Sequence, residues 1–177
     1  MRKIWIPFVS LTLAAVLLLG LYNGLQGVRQ ANREKELNEK MMTLLPGSTT
    51  FAEEAYTGED TNIAAVYKGE TGYVVETTTA GYAGPIRMLV GVSNDGQVTG
   101  LQVRSMEETF GLGAEALTDW KFLAQFLRTE GEAAVDTDID AISGATVTSK
   151  AITRSVNSAV AFVTGADVSS GATSWGG

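Results

Sequence analysis

The 177-residue chain contains neither cysteine nor histidine. This removes disulfides, thiolate nucleophiles, imidazole bases and the usual zinc, haem and iron–sulfur ligand sets, so any redox chemistry needs an organic cofactor. The net charge is −7, and from Met41 onward 7 Lys and Arg face 17 Asp and Glu, a balance near −10 that disfavours nucleic acid and anionic lipid headgroups as partners.

The length suits one domain and an anchor. No charged residue occurs between Ile4 and Val28. The run Ile4–Leu25 is long enough to cross a ~30 Å hydrocarbon layer at ~1.5 Å per residue. Arg2 and Lys3 precede it, which predicts a cytoplasmic N-terminus and an extracytoplasmic remainder. A cleaved signal peptide is the alternative, but the run is long for one and Asn23-Gly24-Leu25 is a poor cleavage site. Residues 1–28 are thus predicted as a transmembrane anchor. Residues 29–47 follow as a helical stalk, with Glu36 and Lys40 spaced as an i,i+4 pair and a narrow apolar stripe of Leu37, Met41, Leu44 and Leu45. Pro46-Gly47-Ser48 ends the stalk.

Thr49 to Asp60 reads as an acidic loop. The pattern then becomes period two. Ile63–Lys68 and Tyr73–Thr77 read as a hairpin around Gly69-Glu70-Thr71-Gly72, and Ile86–Val92 and Gln97–Arg104 as a second pair around Asn94-Asp95-Gly96. A glycine-bearing loop, Ser105 to Gly113, comes next; Gly111 and Gly113 allow close approach of a ligand. Ala114–Arg128 is predicted as a helix with Thr118 as its N-cap. The acidic stretch after it holds Asp136, Asp138 and Asp140 but lacks the sixth-position Gly and closing Glu of a calcium loop.

The stretch Asp140-Ala141-Ile142-Ser143-Gly144-Ala145-Thr146-Val147-Thr148-Ser149 then leads into a second predicted helix. Its hydroxyls lie at a helix N-terminus, where free N–H groups and the helix dipole favour a phosphate. Plain side-chain capping is the other reading of the same residues. The Gly- and Ser-rich tail, residues 166–177, is expected to be flexible and repeats the spelling as Asp167 to Thr173, with no helix after it.

Asp-x-x-Ser-Gly-Ala-Thr followed by x-Thr-Ser resembles the flavinylation motif of the FMN-binding domain family. That family includes the G subunits of Rnf-type ferredoxin–NAD oxidoreductases and the C subunits of the sodium-pumping NADH–quinone oxidoreductases. Glu108-Thr109-Phe110-Gly111-Leu112-Gly113 is similar to a second family motif, with Phe110 where Pro is usual and Met106-Glu107 where a His-Lys pair is common. Gly81-Tyr82-x-Gly84 also resembles the family pattern. The short chain is more similar to the Rnf branch.

The resemblance implies an α+β fold: a single transmembrane helix, then an antiparallel β-meander packed with helices, with residues 48–165 forming a covalent FMN-binding domain. It implies that a flavin transferase takes FMN from FAD and esterifies its phosphate to Thr146, with Asp140 as a recognition acid. Ser143, Gly144, Ala145, Thr148, Glu108, Thr109, Leu112 and Gly113 would complete the cofactor site, and no metal is expected. The implied role is an electron relay in an ion-translocating complex of the cell (inner) membrane, with integral membrane subunits as partners and no catalytic activity in isolation. An FMN domain serving another reductase or a regulator, and an anchored binding domain without redox function, are the alternatives.

Overall fold

A computed structural model describes residues 5–106, 119–127, 129, 133–135 and 137–166. The chain divides into two compact units, Met1–Glu39 and Lys40–Gly177. Helix α1 (Trp5–Leu44) begins in the first and ends in the second, covering most of the predicted anchor and stalk. Leu11, Leu13 and Leu17 are exposed on it. Among the described residues no helix is long and apolar enough to cross a membrane; most side chains of the apolar run Ile4–Leu25 lie outside the described set. Lys35 and Glu39 pair along its polar half at 3.9 Å.

The second unit is built on a five-stranded antiparallel meander, β1 (Ala52–Glu54), β2 (Ile63–Lys68), β3 (Gly72–Ala80), β4 (Pro85–Ser93) and β5 (Val98–Met106), each strand paired with the next. Four strands lie where alternation places them. Strand β1 falls in the stretch read as a loop. Its three residues, Ala-Glu-Glu, are all exposed and carry no apolar alternation. Pairing with β2 alone makes it a strand, helped by Lys68–Glu54 at 3.5 Å. At the β4–β5 turn Gly96 sits at φ +84°, a conformation that favours glycine there.

The two faces of the sheet take different covers. Val75, Met88, Val90, Val92 and Val98 point to the core that holds helix α3 (Thr146–Thr164) and the short helix α2 (Trp120–Ala124). On the other face the last turn of α1 rests on β4 and β5. The Thr99 hydroxyl donates to the Leu44 carbonyl at 2.6 Å. A Cβ built on Gly91 would collide with that carbonyl, and one on Gly100 would lie 3.0 Å from Leu44 Cα. Met41, Leu44 and Leu45 are buried. The stripe read as part of a stalk is, at its end, core of the second unit. Glu76, buried on this same face, is paired with Arg104.

Helix α3 is buried nearly all round, including Thr148, Ser149, Thr153, Ser155, Asn157 and Ser158. Burial of such hydroxyls costs free energy unless they find partners, and several here do. Ser149 and Thr153 donate back to the carbonyls of Ala145 and Ser149, both at 3.0 Å. Thr79 donates to the Ala151 carbonyl at 3.1 Å and shares a 3.0 Å bond with Ser155. Ile152, Val156 and Val160 on the same helix each add about 1.5–3 kcal/mol of apolar burial.

Candidate functional site

The stretch Asp140–Ser149 forms a tight turn delivering the chain into α3. Ile139 anchors it from one side, wholly buried beside Phe122 and Phe126, whose rings meet edge to face at 5.4 Å. Asp140 follows with an exposed side chain. Its backbone is held by Gln125 just after α2: the Asp140 N–H donates to Gln125 Oε1 at 2.8 Å, and Gln125 Nε2 donates to the Asp140 carbonyl at 3.3 Å. Ser143 and Gly144 form the exposed apex, Gly144 at φ +80°. Any side chain there would be strained, which explains the glycine. Ala145 is buried, and its N–H closes the turn onto the Ile142 carbonyl at 2.9 Å.

Helix α3 begins at Thr146. The expectation of side-chain capping fails at this end: the N-cap is Ala145, which makes no side-chain cap bond. Ser149 instead serves the turn, accepting the Ile142 N–H at 3.2 Å and donating to Ala145. The first-turn N–H groups, which have no intrahelical acceptor, gain no side-chain acceptor from the cap. No acidic residue lies in that turn. Thr146 is exposed, Val147 beside it is exposed, and Thr148 is buried at 1%. Lys150, one turn beyond Thr146 on the same side, is also exposed. The residues thus suit an esterified phosphate: an accessible hydroxyl, an uncapped positive helix end, and a cation within one turn.

The segment leading to this turn is secured from α3 itself. Asn157, 4% exposed, accepts the Ala133 N–H at 3.0 Å and donates to the Ala133 carbonyl at 2.8 Å. Asp138 accepts the Ala134 N–H at 2.9 Å, so its carboxylate closes a local turn. Glu108, Thr109, Leu112 and Gly113 lie outside the described residues, as do Thr118 and Thr173. The cap of α2 is Asp119, not the expected Thr118, with its carboxylate accepting from Lys121 N at 2.8 Å and Phe122 N at 3.4 Å.

The FMN-binding domain family model matches residues 81–161, a span covering β4, β5, α2, the Asp140–Thr146 turn and most of α3. The G subunit of the ion-translocating oxidoreductase complex of Methanosarcina acetivorans is 33% identical over 91% of this chain and 93% of its own length. The chain belongs to that G-subunit family of ion-translocating oxidoreductase complexes. Two further members are similar over about half of each chain. The G subunit of the sodium-translocating ferredoxin:NAD oxidoreductase complex of Acetobacterium woodii is 40% identical over 98 residues, and its proton-translocating counterpart from Clostridium ljungdahlii is 41% identical over 99.

Gln125 and Asn157 carry no signal in the sequence as parts of this site. A lone carboxamide belongs to no motif, and only the fold shows that each spans both backbone groups of one loop residue.

Proposed function

We propose that this chain is the electron-relay flavoprotein subunit of a membrane-bound ferredoxin:NAD oxidoreductase complex, carrying FMN as a phosphoester on Thr146. The observation that carries it is the placing of the family motif: Thr146 is exposed at the first residue of a helix whose N-cap offers no side-chain acceptor. FMN supplies one- and two-electron chemistry when bound. The chain supplies position. Thr146 Oγ1 would be the acceptor of the FMN phosphate, with AMP leaving from FAD and the hydroxyl proton passing to solvent. First-turn N–H groups and Lys150 would hold the phosphate charge, and Ser143, Gly144 and Ala145 would shape the turn. Glu108, Thr109, Leu112 and Gly113 belong to the same site on this reading.

The apolar run Ile4–Leu25 supports a single-pass anchor, and Arg2 and Lys3 ahead of it support an FMN domain outside the cytoplasm. Partners on this reading are the integral membrane subunits of the complex and, during maturation, a flavin transferase. An anchor without intramembrane charge provides no ion path, so ion translocation falls to those subunits. The test is peptide mass spectrometry after co-expression with a flavin transferase. FMN mass on the peptide holding Thr146 supports the proposal, and FMN on no peptide contradicts it.

A further inference from the structure

Gln125 engages both backbone groups of a residue of the motif itself, the Asp140 N–H at 2.8 Å and the Asp140 carbonyl at 3.3 Å. Asp140 opens the motif and Thr146 closes it. Between them the turn is pinned again by Ile142 N–H on Ser149 and Ala145 N–H on Ile142. Those bonds lie within the turn and the helix that follows it. Gln125 holds the opening end of the motif from outside, on a different element. It can do so rigidly, since Phe122 and Phe126 on either side of it in sequence are buried in the core.

We infer that Gln125 is a positioning residue for flavin attachment: by clamping the Asp140 backbone it presents the Asp140 carboxylate and the Thr146 hydroxyl to the transferase in one fixed relation. The inference rests on the proposed covalent flavin on Thr146. It is separable from core stability, because both Gln125 bonds lie at exposed positions whereas the analogous Asn157 clamp on Ala133 is buried. Without the clamp the turn samples other arrangements, and the transferase meets the competent one only part of the time. Apparent affinity falls by that fraction while the chemical step is untouched. Loss of two exposed hydrogen bonds corresponds to roughly a five- to tenfold effect.

The test is the transferase reaction on the full-length protein, followed by flavin incorporation with FAD as donor. Gln125→Met keeps the volume and removes both bonds. It is expected to raise the KM for the acceptor protein about five- to tenfold with kcat within twofold. Gln125→Glu keeps the acceptor for the Asp140 N–H and is expected to recover part of that rise. Thr99→Val, which loses the bond to Leu44 remote from the motif, is the stability control and is expected to react like wild type. A wild-type KM in Gln125→Met, a rise shared equally by Thr99→Val, or a Gln125→Glu no better than Gln125→Met would each overturn the inference. If wild type itself accepts no flavin, the covalent reading fails and this inference with it; flavin incorporation into Gln125→Met with a wild-type KM sinks the inference alone.

Discussion

Replacing Asn157 with leucine tests how firmly the segment before the acceptor turn is held. Asn157 and Ala133 are each 4% exposed, and the carboxamide makes bonds of 3.0 and 2.8 Å to the Ala133 N–H and carbonyl. Leucine fills a similar volume but leaves both backbone groups buried without partners. Each orphaned group costs about 1–3 kcal/mol, so the expected loss is about 3 kcal/mol after the gain from the added apolar surface. That is a large share of a typical 5–15 kcal/mol total, and at ~2–4 °C per kcal/mol the midpoint drops roughly 6–12 °C. Urea and thermal melts of the full chain in detergent, followed by circular dichroism, measure it. Asn157→Asp adds a check of sign. Its carboxyl keeps the acceptor but, when ionised, points a charge at the Ala133 carbonyl in a buried place, so its folded pKa rises above the unfolded ~3.9. A raised pKa means that stability is fully present below the unfolded value and is lost as pH rises through the folded one. Measured relative to wild type at each pH, the Asp variant should be nearest to it below about pH 4 and fall behind toward neutrality. A loss under about 1 kcal/mol in the Leu variant, or an Asp variant whose deficit is flat with pH, would refute the clamp.

Gly91→Ala should destabilise by about 2–4 kcal/mol in the same melts, since its methyl collides with the Leu44 carbonyl and displaces the Thr99 bond to it; a change under about 0.5 kcal/mol would show that the end of α1 is not seated on β4 and β5. Glu70 gives a pH prediction. Bonds from its own backbone N–H, from the Thr50 hydroxyl and from Thr49 hold its carboxyl at about 2, below the ordinary 4.5. A lowered pKa contributes stability that is present above 4.5 and lost as pH falls toward about 2. Glu70→Gln should therefore flatten the acid limb of the stability profile in that window, and a Glu70 carboxyl that titrates near 4.5 by NMR would contradict it.

Much of this fold was legible where local pattern and final environment agree. Strand β2 runs over the residues read as a strand, although its buried residues Ile63 and Val66 are three apart, because a register shift between Ile63 and Ala65 brings both to the core face. β3, β4 and β5 extend a residue or more past their apolar pattern, because backbone pairing continues where the side chains have stopped alternating. Strand β1 was not legible, since partner hydrogen bonds and not its side chains define it. The last turn of α1 was legible as an apolar stripe but not as core; the glycines that admit it, Gly91 and Gly100, stand some fifty residues away in sequence. At the site, the glycine turn at Gly144 and the helix start after it were readable from the residue types. The missing side-chain cap was not: three hydroxyls near a helix start suggest capping, yet the helix begins one residue after Ala145, and Thr148 and Ser149 turn into the core.

Covalent FMN on Thr146 is the proposal on which the electron-relay function rests. The direct measurement is in-gel flavin fluorescence of the denatured protein after co-expression with a flavin transferase, with Thr146→Ala and Thr173→Ala run beside wild type. Fluorescence is expected in wild type and Thr173→Ala and none in Thr146→Ala. Fluorescence retained in Thr146→Ala, or absent from wild type while the same transferase labels another target, would contradict it.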